Sequence, residues 1–477
     1  MRALTRDDIV AGLRALGLQP GDKVLVHSSV AALGRVEGGP DAVIDALLAA
    51  VGPAGLVMVP TFATARPFDR RTASTPLGAI PDAFRRRPGA VRSKHPTHSV
   101  AAIGAGAAEL IRDHEKVPTA YAEGTPYYRL AEVGGKILLL GVDQDRNTTL
   151  HAAEAIAGSP YLTHVTATYV DDDGREVTIP VAAMAGPHRN FIGLDRLFRE
   201  RGVVRVGRIG SAVCRLMDAR RMLDVAIEAL RADPAAVLCD NPACADCVLQ
   251  RGAIKAARLR EEAFTLAAVA GDISDNLAEI EFALRGEGIA ALELTPDEHD
   301  KFGAALADAG ITVAAIRSAG GADGAARARR LGVPLIVPAG TREEIEAAAS
   351  LRATGCTVYV ENVGLPSAHY AELLAEVTGA PPLALNPGRF AAAREKPFLQ
   401  VFYRGPLRKR LAHFYVDDAT WDGAPALPGR GNGEVKEILS MLRCRSYSGI
   451  VTLRSHVRGV PAFREAAAAF WGLLDTM

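Results

Sequence analysis

The stretch KILLLGVDQDRNTTLHAAE, residues 136–154, changes character halfway along. KILLLGV, 136–142, is a continuous apolar run, the pattern of a strand covered on both faces. Short polar residues follow Gly141, and then apolar positions broken by His151 and Glu154. The pattern predicts a buried strand ending at Gly141, a loop, and a helix capped by NTT at 147–149. Positions i and i+3 share a helix face, so His151 and Glu154 can converge on one pocket. They would stand in the first helical turn, at the carboxyl edge of a sheet, where α/β folds place ligands. A neutral imidazole held by a carboxylate can take a proton from an amine near pH 7. Two polar residues on an ordinary surface helix would look the same by spacing alone.

Working outward, the same alternation recurs. TRDDIVAGLRALG (5–17) opens with a Thr cap and has apolar residues at helical spacing. KVLVHSS (23–29) and LVMVPTF (56–62) read as further buried strands, and DAVIDALLAAVG (41–52) as a helix ended by glycine. Residues 163–180 contain a hairpin turning at VDDDGREV. The fold class is α/β, with a layered domain over residues 1–262. Past the charged helix that ends near 262, a new rhythm of strand and helix runs from FTLAAVAG to GIVTLRSH. Some eight such units predict a lean parallel barrel over 263–477.

The 477 residues exceed what one compact core holds, consistent with two domains. Lys plus Arg and Asp plus Glu both number 55, so net charge is zero, and a phosphate-binding nucleic-acid or polybasic membrane protein is not expected. No basic leader with a long apolar run opens the chain, and no run is long enough to span a bilayer, so a cytoplasmic location is expected. Six cysteines are too few for a disulfide scaffold. CDNPACADC spaces Cys239, Cys244 and Cys247 as C-x4-C-x2-C, which could give three zinc ligands with Cys214 or a histidine as the fourth. A strong zinc signature needs two separated pairs, the second pair is missing here, and free thiols in a capping turn are the plainer reading, so no metal is assigned from the sequence.

HSSVAALG, GLVMVPTF, FDRRTASTPLGAIPDAFR, HPTHSVAAIG, TPYYRLAEVGGKILLLGVD and NTTLHAAE, in that order, resemble the aminoglycoside 3-N-acetyltransferase family over about residues 5–250. The resemblance implies an α/β acyltransferase, acetyl-CoA as co-substrate and donor, and an amine of an aminosugar, aminocyclitol or aminoglycoside as acceptor. It implies His151 as catalytic base with Glu154 as its companion carboxylate. Ser28 and Ser29 match the segment receiving the CoA phosphates and pantetheine, and His98 and Ser99 lie in the motif lining the thioester pocket. No cysteine falls in these motifs, so direct transfer is expected rather than an acyl-cysteine intermediate. Asp143 and Asp145 at the strand end are candidates for a cationic acceptor, with turn and cap roles an equal reading. His188 and Arg189 in VAAMAGPHRNFIG are further candidate acceptor contacts. The expected partner is a small-molecule amine, with neither nucleic acid nor membrane, and a homo-oligomer is left open, as is a role in antibiotic resistance or biosynthesis.

VYVENVG, LALNPGRF, HFYVDDA and LPGRGNGEVKEILSMLRCRSYSGIVTLRSH resemble the sugar phosphate isomerase/epimerase family, a xylose-isomerase-like TIM barrel, over about 264–475. That family holds a divalent metal at its strand ends. Here Glu361 is retained, but Asn386, Arg389, Tyr415 and Arg454 stand where ligands are expected, and Asp418 remains. The ligand set fails, so the barrel is read as degenerate, with Arg389, Arg454 and His456 suited to an anion. The competing functions are a sugar isomerase or epimerase acting through the barrel, and a non-catalytic binding or scaffold protein.

Overall fold

The computed structural model describes residues 2–184, 188–319 and 321–477. The chain divides into two compact units, Met1–Gln250 and Arg251–Met477. The division falls within the helix Ala245–Leu259, ahead of position 262.

The first unit is built on a seven-stranded mixed sheet. Its strands in chain order are β1 (Lys23–Ser28), β2 (Leu56–Pro60), β3 (Val91–Arg92), β4 (Val100–Gly104), β5 (Lys136–Leu140), β8 (Val204–Ile209) and β9 (Ala212–Asp218), the labels β6 and β7 belonging to the hairpin Leu162–Val170 and Glu176–Met184. The order across the sheet is β3-β4-β2-β1-β5-β9-β8. β1 lies between β2 and β5, parallel to both, whereas β4 and β9 run antiparallel beside them. The central position explains why these strands read as unbroken apolar runs: Val24, Leu25 and Val26, like Ile137 to Leu140, are fully buried.

One face of the sheet is covered by Arg6–Leu16 and Gly39–Val51, whose Ile9, Leu13, Val43, Ile44 and Leu47 share a core with Val24, Val26, Val57 and Leu138. Thr5 and Asp8 form a reciprocal capping box at the start of the first of these helices. The hairpin turns at 171–175, where Asp171 Oδ1 accepts the N–H groups of Asp173 and Arg175.

The second unit is a closed barrel of eight parallel strands. They are β10 (Thr265–Val269), β11 (Ala291–Leu294), β12 (Thr312–Arg317), β13 (Leu335–Pro338), β14 (Val358–Glu361), β15 (Leu383–Leu385), β16 (Leu411–Val416) and β17 (Ile450–Leu453). Closure is by β10 pairing with β17 at Leu266↔Val451 and its neighbours. Small side chains make a barrel of such short strands feasible. Ala267, Ala291 and Ala314 form one inner cluster, and Ala315, Ile336, Ala384 and Tyr415 another, while Leu266, Leu292 and Val451 face the outer core. Among the described residues no helix is long and apolar enough to cross a membrane.

Candidate functional site

β5 ends where Gly141 adopts φ +72°, a left-handed conformation in which a Cβ would lie 2.6 Å from that of Ala32. The chain then makes a short 3-10 turn, Gln144–Arg146, and enters the helix Leu150–Ala157. The expected NTT cap is not formed. Thr149 occupies the N-cap position with helical dihedrals and no side-chain cap bond. Both polar ends of the stretch turn inward instead: the Asn147 amide donates to Gln144 Oε1 at 3.0 Å, and Thr149 is buried. The His151 N–H bonds Thr148 O at 3.1 Å, which puts the imidazole in the first helical turn.

His151 Nδ1 and Glu154 Oε2 are 2.6 Å apart. The other carboxylate oxygen, Oε1, accepts from Arg189 Nε at 2.5 Å, and Arg189 stacks over Tyr161 at 4.9 Å. Glu154 and Arg189 are almost fully buried, whereas 21% of the His151 side chain remains exposed. Burial alone would raise the Glu154 carboxyl, but His151 and Arg189 outweigh it and hold its pKa below the ordinary value. The imidazole is therefore fixed by a carboxylate that stays ionised at neutral pH. Tyr121 at 5.1 Å and Phe191 at 4.9 Å flank the ring.

The His98 Nε2 and Tyr121 hydroxyl are 2.5 Å apart, and His98 Nδ1 lies 2.9 Å from Thr97 Oγ1. Burial drives the His98 pKa well below its ordinary value, and His151 is among the charges that add to this effect. His98, Tyr121, His151, Glu154 and Arg189 thus form one continuous polar and aromatic line. Ser28 closes β1, pairing with Leu140, and its buried Oγ meets no partner among the described residues. Thr149 Oγ1 is similarly unmatched. Both are buried polar groups left without a hydrogen-bond partner among the described residues.

The other candidates are occupied. Ser29 caps the four-residue helix Val30–Leu33 by accepting from Ala32 N–H. The Ser99 hydroxyl donates to Thr61 O at 2.8 Å. Asp143 accepts from Arg215 Nη2 at 2.6 Å and caps the turn that follows, and Asp145 lies 3.2 Å from Arg146. Arg189, also named as a candidate acceptor contact, faces Glu154 rather than open space. Residues 185–187 of the stretch that suggested it lie outside the described residues. Tyr121 was not legible as a site residue, and Arg189 was legible only as a candidate acceptor contact, because both reach His151 or Glu154 only through the tertiary fold.

The cysteines divide. Cys214 lies within β9, buried in the sheet core opposite Leu140, far from the others in environment. Cys239, Cys244, Cys247 and His188 bring their ligand atoms within 4.8 Å of one another.

At the carboxyl ends of the barrel strands, Glu361 accepts from both Arg317 (Nη2, 2.7 Å) and Arg389 (Nε, 3.1 Å). Asp417 lies 2.7 Å from Asn386 Nδ2 and 2.5 Å from His456 Nε2, and Arg454 Nε donates to Asp272 at 2.9 Å. The three cationic groups read as an anion site are therefore already matched by carboxylates. Asp418 is not at this mouth cluster: it accepts the N–H groups of Gly429, Gly431 and Gly433 and holds their loop.

Comparison with known proteins matches the first unit. The family profile for aminoglycoside 3-N-acetyltransferase covers residues 25–231. An aminoglycoside N(3)-acetyltransferase IV from Salmonella sp is 36% identical over 231 residues, 48% of this chain and 87% of the relative. An aminoglycoside N(3)-acetyltransferase VII from Streptomyces paromomycinus is 34% identical over 261 residues, 47% of this chain and 90% of the relative. A crystal structure of aminoglycoside acetyltransferase AAC(3)-IVa aligns with TM-score 0.48 and 34% identity, covering 52% of this chain and 96% of that one.

Proposed function

Because the chain belongs to the aminoglycoside 3-N-acetyltransferase family and is an acyltransferase, we propose that its first unit moves an acetyl group from acetyl-CoA to an amine of an aminosugar, aminocyclitol or aminoglycoside. The observation that carries this reading is the His151–Glu154 contact of 2.6 Å, made by a buried carboxylate to a ring that is still partly open to solvent. Acetyl-CoA supplies an electrophilic thioester carbon. Glu154 engages Nδ1, which leaves Nε2 of His151 as the nitrogen with a lone pair for the amine proton. As that proton passes to Nε2, the amine nitrogen bonds to the acyl carbon. The carbon–sulfur bond then breaks, and the imidazolium returns the proton to the departing thiolate. Glu154 stabilises the imidazolium that forms in between, and Arg189 keeps Glu154 aimed and charged. The Ser28 hydroxyl at the end of β1 and the Thr149 hydroxyl at the start of the helix Leu150–Ala157 supply hydrogen bonds to the co-substrate.

The second unit we read as a degenerate sugar phosphate isomerase/epimerase-like TIM barrel. Glu361 is held by two guanidinium groups, an arrangement that repels a hard dication, so isomerisation through this barrel is not favoured.

The test is thiol release from acetyl-CoA across a panel of aminosugars and aminoglycosides, with wild type beside His151→Ala. Acceptor-dependent release should fall about 100-fold or more in the variant, while its melting temperature and acetyl-CoA affinity hold. Wild-type turnover by His151→Ala would overturn the mechanism.

A further inference from the structure

We propose that His188, Cys239, Cys244 and Cys247 hold one zinc ion, and that this ion anchors the segment from which Arg189 reaches Glu154. His188 Nδ1 lies 3.3 Å from Cys247 Sγ and 3.4 Å from Cys244 Sγ. All four ligand atoms fall within 4.8 Å of one another. Bonds of about 2.3 Å to sulfur and about 2.0 Å to nitrogen put the corners of a tetrahedron roughly 3.5–3.8 Å apart. The imidazole–thiol separations are already close to that edge, and the rest needs only a small contraction of side chains.

The surroundings are those of a metal knuckle. Cys244 N–H bonds Asn241 O, and Ala243 N–H bonds Asn241 Oδ1, which folds the Cys239–Cys244 turn back on itself. Cys247 then sits in the first turn of the helix Ala245–Leu259. Cys239 N–H points at Cys247 Sγ at 3.3 Å, a donor suited to a thiolate. Asp246 Oδ2 accepts the His188 backbone N–H at 3.0 Å, fixing the histidine from outside the ligand set.

The donor set selects the metal. Three thiolates and an imidazole favour zinc over hard cations, and four protein ligands close the coordination sphere, so the site is structural. Binding costs three thiol protons: Zn²⁺ plus three Cys–SH and a neutral histidine give one mononegative complex and three H⁺. A disulfide does not account for the cluster, because it would use two of three thiols and give the histidine no role. The sequence shows the three thiols but not which residue is the fourth ligand, because the histidine lies 51 residues before Cys239, outside ordinary ligand spacings.

The consequence runs through one peptide bond. Arg189 follows His188 directly, and Asn190 N–H bonds Val237 O at 2.8 Å, so the 188–190 strap is tied to the segment leading into Cys239. Arg189 is thereby a positioning residue for Glu154. This second step rests on His151 acting as base, whereas zinc binding does not.

The experiment uses the full chain purified without chelator. Elemental analysis should find about one zinc per chain, and cobalt exchange should give thiolate-to-cobalt charge-transfer absorption. Asp246→Ala should weaken zinc binding about 10–100-fold, the usual effect of losing a partner outside the ligand set, and His188→Ala more. In His188→Ala, kcat should fall with little change in the acetyl-CoA KM. Reduced protein that takes up neither zinc nor cobalt on titration overturns the proposal. So does a Cys244→Ser, Cys247→Ser variant that retains stoichiometric zinc, or a disulfide among these cysteines in the isolated protein. Stoichiometric zinc whose loss leaves kcat unchanged overturns the positioning step alone, and an inactive wild type with zinc bound counts against the acetyltransferase reading.

Discussion

Arg189 and Glu154 form a buried ion pair, Nε to Oε1 at 2.5 Å, thirty-five residues apart in sequence. The pair does not point at solvent, and its other carboxylate oxygen is committed to His151. The catalytic geometry proposed for the helix Leu150–Ala157 thus depends on a residue from a different segment.

Glu154→Gln preserves the volume and removes the charge. Arg189 is then left as an uncompensated buried cation, which costs about 3–5 kcal/mol. The imidazolium loses its stabilising partner at the same time. Chemical denaturation should register that loss in the first unit, and kcat should fall about 100-fold. A Gln variant with wild-type turnover would exclude Glu154 from the mechanism.

Acid should weaken the first unit before carboxylates titrate. Burial pushes the His27 pKa down to about 3 and that of His114 to about 4. The neutral His114 ring is held by Ser93 at Nδ1 and Ala120 O at Nε2. The unfolded chain binds these protons near 6.5 while the folded one does not, so stability is intact above that value and declines as pH falls below it. The loss is about 2 kcal/mol per histidine at pH 5. Thermal melts from pH 7.5 to 5 should fall accordingly, and His27→Gln should flatten the slope.

The barrel holds a group of opposite sign. Burial raises Glu293 to about 7, against an ordinary 4.5, while Tyr415 donates to it at 2.9 Å. Here the folded state keeps a proton that the unfolded state releases, so this group's contribution declines between pH 4.5 and 7. Glu293→Gln should therefore become more stable relative to wild type as pH rises, by on the order of 3 kcal/mol at pH 7.5. A difference that does not change with pH would rule out the raised carboxyl.

The sequence made the strands legible because burial on both faces leaves unbroken apolar runs, as in KILLLGV and LVMVPTF. The i, i+3 rule brought His151 and Glu154 together for the same local reason. The capping role given to NTT failed because the Asn147 amide is taken by Gln144 Oε1 and Met222 Sδ, and Thr149 is buried without bonding a backbone donor. Tyr121 was hidden, and so were the partners that Arg189 and His188 find, because these contacts span tens of residues, which no local periodicity records. At the barrel mouth the identities of Arg389 and Arg454 were plain, but not that Glu361 and Asp272 already neutralise them.

That neutralisation sets the order in which the barrel could be redesigned. Adding an aspartate at Asn386 or a histidine at Arg389 would leave Glu361 gripped by Arg317, which reaches it from the end of β12 across the intervening β13. Any route to a cation-binding barrel has to begin by clearing Arg317 from that carboxylate, and only afterwards by supplying new oxygen ligands.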